Sequence, residues 1–349
     1  MGEVSTIGVD IAKSVFQVHG VDADGAVLVR KRVSRVKVLE FFSDLPPCLV
    51  GMEACATAHQ WARELKKLGH DVRLMPPTYV KAYVKRGKND ASDAAAICEA
   101  VTRPSMRFVP IKSVEQQSAL MLHRTRDLLI RQRTQLINAL RAHLAELGLV
   151  AAKGHEGLQQ LVMAVAESDD ERLPNNARFA CQSIVEQLDA AQSQISGLDK
   201  RITQAHRSNA DSKRLETIPG FGVILFTAVV ATMTDPKAFR TGREFAAWVG
   251  LVPRQNSTGG KERLGSISKQ GDRYLRRLFV LGAISIVRVA RMRPEKHPWL
   301  IQLLARRSFK VVAVALANKM ARTAWAVLAR GGSYRAPTHS SNVAIAAAA

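Results

Sequence analysis

The order of strands and helices predicted for the first 110 residues constrains the fold of this chain more than any other feature. Three β-branched runs come first, and the turn signal Asp24-Gly25 separates the second run from the third. Strand-like and helical segments then alternate until Pro104. An antiparallel meander followed by alternating elements predicts an α/β domain. The predicted strands are residues 4–12, 14–22, 26–33, 48–53 and 71–77, and the predicted helices are residues 36–45, 56–69, 78–88 and 92–103.

Four carboxylates occupy distinctive places in this pattern. Asp10 and Glu53 end apolar strand-like runs, whereas Asp90 and Asp93 lie three residues apart at the start of an Ala-rich helical stretch and share one helix face. Hard divalent cations take oxygen ligands, and two of them can stabilise both the attacking and the leaving oxygen at a phosphodiester. The element order is that of the ribonuclease H-like fold, so the set predicts a nuclease-type site that binds Mg²⁺ or Mn²⁺.

Each carboxylate also has a simpler interpretation. Asp90 or Asp93 could be the N-cap of the helix that follows, and Asp10 or Glu53 could be an ordinary surface group. The apolar surroundings of Asp10 and Glu53 argue against the surface interpretation, because a buried carboxylate is costly unless it is paired or metal-bound. Three cations just before the aspartate pair are predicted to hold a phosphate backbone: Lys85, Arg86 and Lys88.

Positive charge is concentrated in the last part of the chain. Residues 214–349 hold 22 Lys and Arg against 6 Asp and Glu, which accounts for +16 of the net charge of +21. Such asymmetry predicts a polyanion, most simply a nucleic acid, as the partner of this segment. A generally basic, solvated surface is the alternative. Recurrence of cations at helical spacing, as in Arg273, Arg276 and Arg277, favours the polyanion.

Length and composition indicate a globular protein of two domains. No apolar run reaches the roughly 18 residues that a membrane helix needs, and the first residues lack the basic and apolar blocks of a secretory signal, so no membrane partner is expected. The cysteines show neither metal-binding nor redox spacing, which indicates reduced thiols in a cytoplasmic protein. They are Cys48, Cys55, Cys98 and Cys181.

The middle of the chain predicts two long helices, at 113–147 and about 177–207, separated by a turn at Pro174. Their near-neutral charge is typical of a coiled-coil spacer or an oligomerisation arm. The alternative is that they pack on the first domain.

The C-terminal region predicts a helix-hairpin-helix at 215–233, where Gly220 and Gly222 would expose backbone N–H groups to a DNA phosphate. An ordinary tight turn between two helices explains the same pattern. A basic loop at 253–272 follows, and then come helices at about 272–293 and 308–330. The tail from residue 331 is predicted to be disordered.

The basic loop combines a hydroxyl pair, Ser257 and Thr258, with the flexible pair Gly259-Gly260. A serine that attacks a phosphodiester needs an accessible hydroxyl, closely approaching backbone and positive charge for the phosphoryl oxygens. Composition alone favours the simpler alternative, a loop that grips phosphate without a nucleophile. The cations predicted to contact nucleic acid here are Arg254, Lys261, Arg263 and Lys269, followed by Arg273, Arg276 and Arg277.

Five segments together resemble the DEDD insertion-sequence transposases, which are related to the pilin-gene-inverting recombinases. The segments are GVDIAK, GMEA, KNDASDAAAI, IPGFG and GLVPRQNSTGGKERLGSISKQGDRYLRRL, and they span residues 6 to about 330. The resemblance implies that Asp10, Glu53, Asp90 and Asp93 bind metal and that Ser257 becomes covalently joined to DNA. Many relatives have Ser-Gly or Ser-Ser-Gly at this loop, so Thr258 is the alternative nucleophile.

The resemblance also implies an architecture and a function. It implies a RuvC-like catalytic domain at 1–110, a helical coiled-coil spacer at 111–213, a serine transposase domain at 214–330 and a tail at 331–349. The implied function is RNA-guided recombination of donor and target DNA by a homodimer that forms a tetramer on DNA, in the bacterial nucleoid. The alternatives are a junction-resolving nuclease without a covalent intermediate, a non-enzymatic nucleic-acid-binding protein and, least favoured, an actin-like kinase.

Overall fold

The computed structural model describes residues 3–84, 89–167, 171–261 and 263–335. The chain divides into two compact units, residues 1–114 and residues 115–349. Lys85, Arg86 and Lys88, which were predicted to hold a phosphate backbone, lie outside the described residues, and so does the predicted tail beyond residue 335.

The first unit is built on a five-stranded mixed sheet in the order β3-β2-β1-β4-β5. Strands β1, β2 and β3 form the predicted antiparallel meander, while β4 and β5 join the other side of β1 in parallel. This α/β sheet is consistent with the predicted nuclease-like domain. The strands are β1 (Thr6–Ile11), β2 (Val15–Val21), β3 (Val27–Ser34), β4 (Leu49–Glu53) and β5 (Asp71–Met75).

Helices cover the sheet of the first unit. Helix α2 buries Trp61 and Leu65 against the sheet, where the Trp61 ring meets Phe16 edge to face at 5.0 Å. Such burial of apolar and aromatic surface contributes most of the stability of the unit. The helices are α1 (Val38–Ser43), α2 (Ala58–Lys67), α3 (Pro77–Val80) and α4 (Asp90–Val101).

The predicted helix at 78–88 is confirmed over residues 78–83, first as an α-helix and then as a 3₁₀ turn, and it is wrong at Val84. Helix α3 ends at Val80, a single 3₁₀ turn covers 81–83, and Val84 is extended with ψ 117°. Tyr83 and Val84 lose side-chain freedom in a helix, and both pack against the cluster that holds Val80 in place. Tertiary packing of these apolar residues therefore outweighs a weak helical pattern.

The second unit begins with a long antiparallel pair of helices, α5 (Val114–Glu146) and α7 (Asn175–Ser208). Both helices were predicted, but the shorter helix α6 (His155–Ala166) between them was not. Arg126 pairs with Asp199, and Arg133 Nη1 donates to Gln192 Oε1 at 2.6 Å. These contacts fix an antiparallel alignment, whereas knobs-into-holes packing of a coiled coil stays a prediction.

The rest of the second unit is mostly helical and surrounds one large core. Phe245, Phe279 and the buried face of α13 meet there. The elements are α8 (Ala210–Glu216), α9 (Val223–Thr232), α10 (Gly242–Val249), β6 (Pro253–Gln255), β7 (Leu264–Ile267), α11 (Arg273–Met292), α12 (Pro298–Leu304) and α13 (Phe309–Arg330). Helices α11 and α13 were predicted nearly to the residue, whereas α10 and α12 were not.

Helix α13 differs from expectation in one respect. Among the described residues it is long and apolar enough, by length and composition, to cross a membrane, although no such segment was expected. Its apolar residues have a structural explanation, because Val312, Ala317 and Ala324 lie in the core of the second unit.

Candidate active site and nucleic-acid interface

Asp10 and Glu53 emerge at the same edge of the sheet. Strands β1 and β4 are parallel, and Val9 pairs with Met52 at the last paired position. Each carboxylate follows its strand's last paired residue directly, so both lie where the carboxyl ends of two neighbouring strands meet. Both side chains are half-buried. The strand-end placement predicted from the sequence is therefore what the fold provides.

Helix α4 brings Asp90 and Asp93 to this edge. The Cys98 thiol donates to the Thr6 carbonyl at 3.7 Å, so the far end of α4 lies over the start of β1. Because the helix runs opposite to the strand, its first turn lies near Asp10. We call the group of Asp10, Glu53, Asp90 and Asp93 the carboxylate edge.

The packing of α4 depends on two glycines that pair with each other across β1 and β4. A Cβ on Gly8 would lie 2.1 Å from the Ala94 carbonyl oxygen, and a Cβ on Gly51 would lie 2.7 Å from Val101 Cβ. The backbone of α4 therefore rests directly on the strand at Gly8. Sequence reasoning missed these two residues, although a glycine inside a strand pattern is a signal of close backbone approach.

Neither Asp90 nor Asp93 is the N-cap of α4. Asn89 holds that position, since its side-chain oxygen accepts from the Ser92 amide at 2.8 Å and the Ser92 hydroxyl accepts from the Asn89 amide at 3.4 Å. This reciprocal pair is a capping box, and it satisfies the free amides of the first turn. The capping alternative for the two aspartates is therefore wrong, and their carboxylates remain available at the edge.

The carboxylates interact through their charges. Burial, then the charges of Asp93 and Asp90, raise the pKa of Asp10 above its usual 3.8. Burial, then the charges of Asp10 and Asp93, raise the pKa of Glu53 above its usual 4.5. Like charges that perturb one another in a partly buried place are a signature of functional sites.

A divalent cation fits the chemistry of this donor set. All donors are carboxylate oxygens, and in the described part of the chain none of the four pairs with Lys, Arg or His. No three His, Cys, Asp or Glu among the described residues are grouped closely enough to surround one ion. The predicted metal site therefore stays a prediction that rests on donor chemistry and mutual repulsion.

The basic loop of the second unit is a β-hairpin. Strands β6 and β7 pair in antiparallel fashion, and Thr258 and Lys261 form the last bridge before the turn. Gly259 and Gly260 have φ 57° and 77°, as a two-residue type I′ turn requires. The glycines were predicted to be flexible, but they instead fix a tight turn. We call residues 253–267 the serine hairpin.

Ser257 and Thr258 project to opposite faces of the serine hairpin, because successive side chains of a strand alternate. Thr258 pairs with Lys261, and the Asn256 amide donates to the Arg263 carbonyl at 2.8 Å. This register places Lys261 and Arg263 on the face of Thr258. Both hydroxyl residues are exposed to solvent. A DNA strand on one face would therefore meet only one of the two hydroxyls.

Comparison with known proteins decides the family. A family model described as "Transposase IS116/IS110/IS902 family" matches residues 212–297, and a DEDD model of the IS110 type, described as a transposase, matches residues 7–148. A probable family 20 transposase of Pseudomonas aeruginosa is 50% identical over 335 residues, which cover 95% of this chain and 99% of that protein. The chain belongs to the IS116/IS110/IS902 family of transposases.

Further relatives are transposases of named insertion sequences. That of element IS1328 from Yersinia enterocolitica is 39% identical over 95% of this chain and 98% of its own length. That of element IS1111A from Coxiella burnetii is 38% identical over 96% of this chain and 92% of its own length. This chain is therefore an insertion-sequence transposase, an enzyme that cleaves and rejoins DNA. The two ranges matched by family models contain the carboxylate edge and the serine hairpin.

Two cations that were predicted to contact DNA also have partners within the protein. Arg276 Nη1 donates to the carbonyls of Val249 and Gln270, both at 2.8 Å, and its contact with DNA stays a prediction. Arg277 pairs with Asp127, which offsets its charge. Val249 and Asp127 lie 27 and 150 positions away from their arginines, so helical spacing alone could not reveal these two partners.

The remaining predicted cations stay exposed at or near the serine hairpin. Arg254 donates from Nη2 to the Ser268 carbonyl at 3.1 Å, which leaves the rest of its guanidinium accessible. Lys269 has φ 56°, an unusual backbone conformation for a residue with a Cβ. Its side chain is exposed, as are those of Lys261, Arg263 and Arg273. Their contact with nucleic acid stays a prediction.

The two glycines of the predicted helix-hairpin-helix have different surroundings. Gly220 has φ 76°, and a Cβ there would lie 2.3 Å from Ile286 Cδ1, so packing against α11 explains this glycine. Gly222 begins α9 as its N-cap, and a Cβ there would meet nothing within 4 Å. An open position at a helix start suits an approaching phosphate, so Gly222 remains the better candidate.

Sequence reasoning also missed a buried polar pair between α5 and α11, the helix that follows the serine hairpin. His123 of α5 is 2% exposed, and its Nδ1 is hydrogen-bonded to the Tyr274 hydroxyl at 3.1 Å. Burial, then the charge of Arg126, lowers the pKa of His123 to about 4. A neutral histidine here links the long helix pair to the first turn of α11, directly after the hairpin. A lone histidine in an amphipathic helix gives no sequence signal for such a role.

Proposed function

We propose that this transposase cleaves and rejoins DNA through a phosphoserine link at Ser257, with divalent cations bound at the carboxylate edge and with a guide RNA that selects the DNA. The observation that carries the proposal is that neither Asp90 nor Asp93 is used as the cap of α4. Asn89 holds that position, while the charges of Asp93 and Asp90 act on Asp10 and the charge of Asp93 acts on Glu53.

Asp10, Glu53, Asp90 and Asp93 would hold Mg²⁺ or Mn²⁺. A bound cation supplies positive charge that polarises the scissile phosphate and stabilises the oxygens that gain charge. The carboxylates themselves contribute by position: two come from strand ends and two from one helix turn, all within a rigidly packed part of the first unit. The raised pKa values of Asp10 and Glu53 support the proposal, because a cation would relieve the repulsion that contributes to them.

Ser257 would attack the phosphorus atom through its side-chain oxygen. A new bond forms between Oγ and phosphorus, the bond from phosphorus to a DNA oxygen breaks, and the serine proton ends on the leaving DNA hydroxyl. One phosphodiester is exchanged for another, so no ATP is needed. An incoming DNA hydroxyl reverses the exchange and frees Ser257. Ser257 is exposed to solvent, which allows DNA to reach this hydroxyl.

Ser257 is proposed over Thr258 because a primary hydroxyl is less hindered than a β-branched one. Thr258 is the alternative, and it shares its hairpin face with Lys261 and Arg263. Because the two side chains lie on opposite faces, Ser257→Ala and Thr258→Ala each remove a hydroxyl from a different face, and the two variants therefore distinguish the two candidates.

The roles of the regions follow the same proposal. Residues 1–110 would form the RuvC-like catalytic domain, 111–213 the coiled-coil spacer and 214–330 the DNA-joining domain. A homodimer that assembles into a tetramer on DNA would supply the paired sites that strand exchange needs. RNA guidance is supported by a basic C-terminal region without a recognisable sequence-reading module, because base pairing can replace side-chain readout.

A suicide DNA substrate tests the proposal. Protein, Mg²⁺, RNA from the element ends and a nicked duplex are incubated, and covalent protein–DNA adducts are separated under denaturing conditions. We expect an adduct with the wild type and with Thr258→Ala, none with Ser257→Ala, and a DNA-linked peptide that contains residue 257. Hydrolysed ends without an adduct would favour the junction-resolving nuclease, and an adduct without RNA would remove the guide from the proposal.

A further inference from the structure

A second basic surface of the transposase lies away from the serine hairpin in the sequence. The last turns of α13, the first turn of α10 and residues 332–335 enclose a groove of about 740 Å³. We call it the α13 groove. Its lining residues belong neither to the carboxylate edge nor to the serine hairpin.

The α13 groove is strongly positive. The cations that line it are Arg243, Lys319, Arg322, Arg330 and Arg335, and its described lining residues include no Asp or Glu. None of these cations forms an ion pair within the described part of the chain. Lys319 lies over the Trp299 ring, 4.6 Å from its centroid, and this contact leaves its positive charge uncompensated. Clustered, unpaired cations repel one another, so the groove favours an anionic ligand.

Arg322 lines the groove with part of its guanidinium inside the protein. Its Nε is buried and has no hydrogen-bond partner among the described residues. A buried N–H group without a partner is rare in folded proteins, because it loses its hydrogen bonds to water. Because Nε has no accessible surface, an anionic oxygen in the groove would meet this guanidinium through its other N–H groups.

The walls of the groove are fixed by tight packing. A Cβ on Gly242 would lie 2.9 Å from the Arg322 carbonyl oxygen, so the start of α10 touches the backbone of α13. The Trp325 indole N–H donates to the Pro236 carbonyl at 2.9 Å. Thr241 caps α10 by accepting from the Glu244 amide. A preformed surface binds a ligand at a lower entropic cost than a mobile one.

The charged surface is too long for a single small anion to contact all of its cations. Lys319 and Arg330 are separated by about 16 Å along α13, from the rise of an α-helix. One strand of duplex DNA places about one phosphate every 3.4 Å along its axis. Several phosphates of one strand can therefore face the groove together.

We propose that the α13 groove binds the sugar–phosphate backbone of duplex DNA. DNA rather than RNA is the ligand because the family establishes DNA as the substrate of this enzyme. The groove supplies affinity without reading sequence, since arginine and lysine contacts to phosphate position a duplex but carry no base information.

Binding of a short DNA duplex at several salt concentrations tests this inference. The variant Arg243→Gln/Arg330→Gln/Arg335→Gln removes three exposed charges of the groove. The matched control Lys200→Gln/Arg201→Gln/Arg207→Gln removes three exposed charges on α7. Loss of three phosphate contacts is expected to weaken binding on the order of 100-fold at 0.15 M salt and to lower the salt slope by about 2–3. The control should keep at least most of the wild-type affinity and slope.

Equal losses of DNA affinity in the two variants would contradict the proposal that the α13 groove binds DNA, because they would show a general charge effect. Weaker binding of an RNA strand with unchanged binding of DNA would also overturn it. Equal melting temperatures of both variants and the wild type verify that the fold is intact. The groove variant should still form the covalent adduct at saturating DNA, whereas Ser257→Ala binds DNA normally and forms none. The salt dependence of DNA binding therefore tests the α13 groove even if Ser257 is not the nucleophile.

Discussion

At the carboxylate edge the functional side chains stand on a sheet and a helix whose backbones touch, whereas at the serine hairpin they stand on two short strands that bury no described side chain. Under the proposed function, the edge would have to keep four like charges at set distances, which requires rigid packing. The hairpin would have to present a hydroxyl to a large substrate, which requires exposure. The difference in packing between the two regions matches these two proposed tasks.

The contrast extends to pH. Asp10 and Glu53 have raised pKa values in the folded state, so the first unit gains stability as the pH falls toward their usual values of 3.8 and 4.5. His123 has a lowered pKa, so the second unit loses stability as the pH falls from 6.5 toward about 4. The same acidification therefore strengthens one region and weakens the other.

The largest expected effect comes from removing one charge at the edge. Asp10→Asn should lower strand-joining activity about 1,000-fold, because a carboxylate that holds a catalytic cation contributes several kcal/mol to the transition state. It should also raise the melting temperature slightly, because a repelled, half-buried charge is removed. Adduct yield and thermal unfolding measure the two effects.

The exposed α7 carboxylate of Asp189 provides the control for this prediction. Asp189→Asn should leave activity and melting temperature unchanged. A fall in the stability of Asp10→Asn would contradict the view that this carboxylate is held against electrostatic repulsion.

A smaller effect is expected from adding a side chain at Gly8, where β1 contacts α4. In Gly8→Ala the new methyl group would lie 2.1 Å from the Ala94 carbonyl oxygen, so the helix must move. We expect a loss of about 3 kcal/mol in unfolding free energy, at the upper end of overpacking effects. Chemical denaturation measures it. In Gly197→Ala on α7 the new methyl meets nothing within 4 Å, and a gain of about 1 kcal/mol is expected from helix propensity.

The smallest effect is the opposite response of the two units to acid. As the pH falls from 6.5 toward about 4, amide exchange corrected for its intrinsic pH dependence should show stronger protection in β1 and α4 and weaker protection in α5 and α11 around His123 and Tyr274. His123→Phe should remove the acid sensitivity of the second unit. Parallel changes in both units would show that the shifted groups do not control local stability.

Sequence patterns predicted the parts of this molecule that depend on local periodicity. The meander, the strand-end positions of Asp10 and Glu53 and the long helices follow from apolar spacing. The serine hairpin was predicted only as a loop, because its strands are short and exposed and so lack an apolar alternation. Helix α6 was hidden by Gly154 and Gly157 at its start.

The features that escaped prediction depend on contacts distant in sequence. Nothing local reveals that Arg276 donates to the carbonyl of Val249 at the end of α10, 27 positions earlier in the chain. Asn89 could be recognised as a cap only once the helix start was known. The α13 groove requires α10 and α13 to be adjacent, which no periodicity reveals.

The two-residue turn at Gly259-Gly260 has a consequence for how such an enzyme can change over generations. A slip of the strand register by one position would move Lys261 and Arg263 to the face of Ser257. The register of the serine hairpin, rather than the chemistry of either alcohol, therefore determines which hydroxyl shares a face with positive charge. Lineages that keep this register keep Thr258 as the hydroxyl beside the two cations.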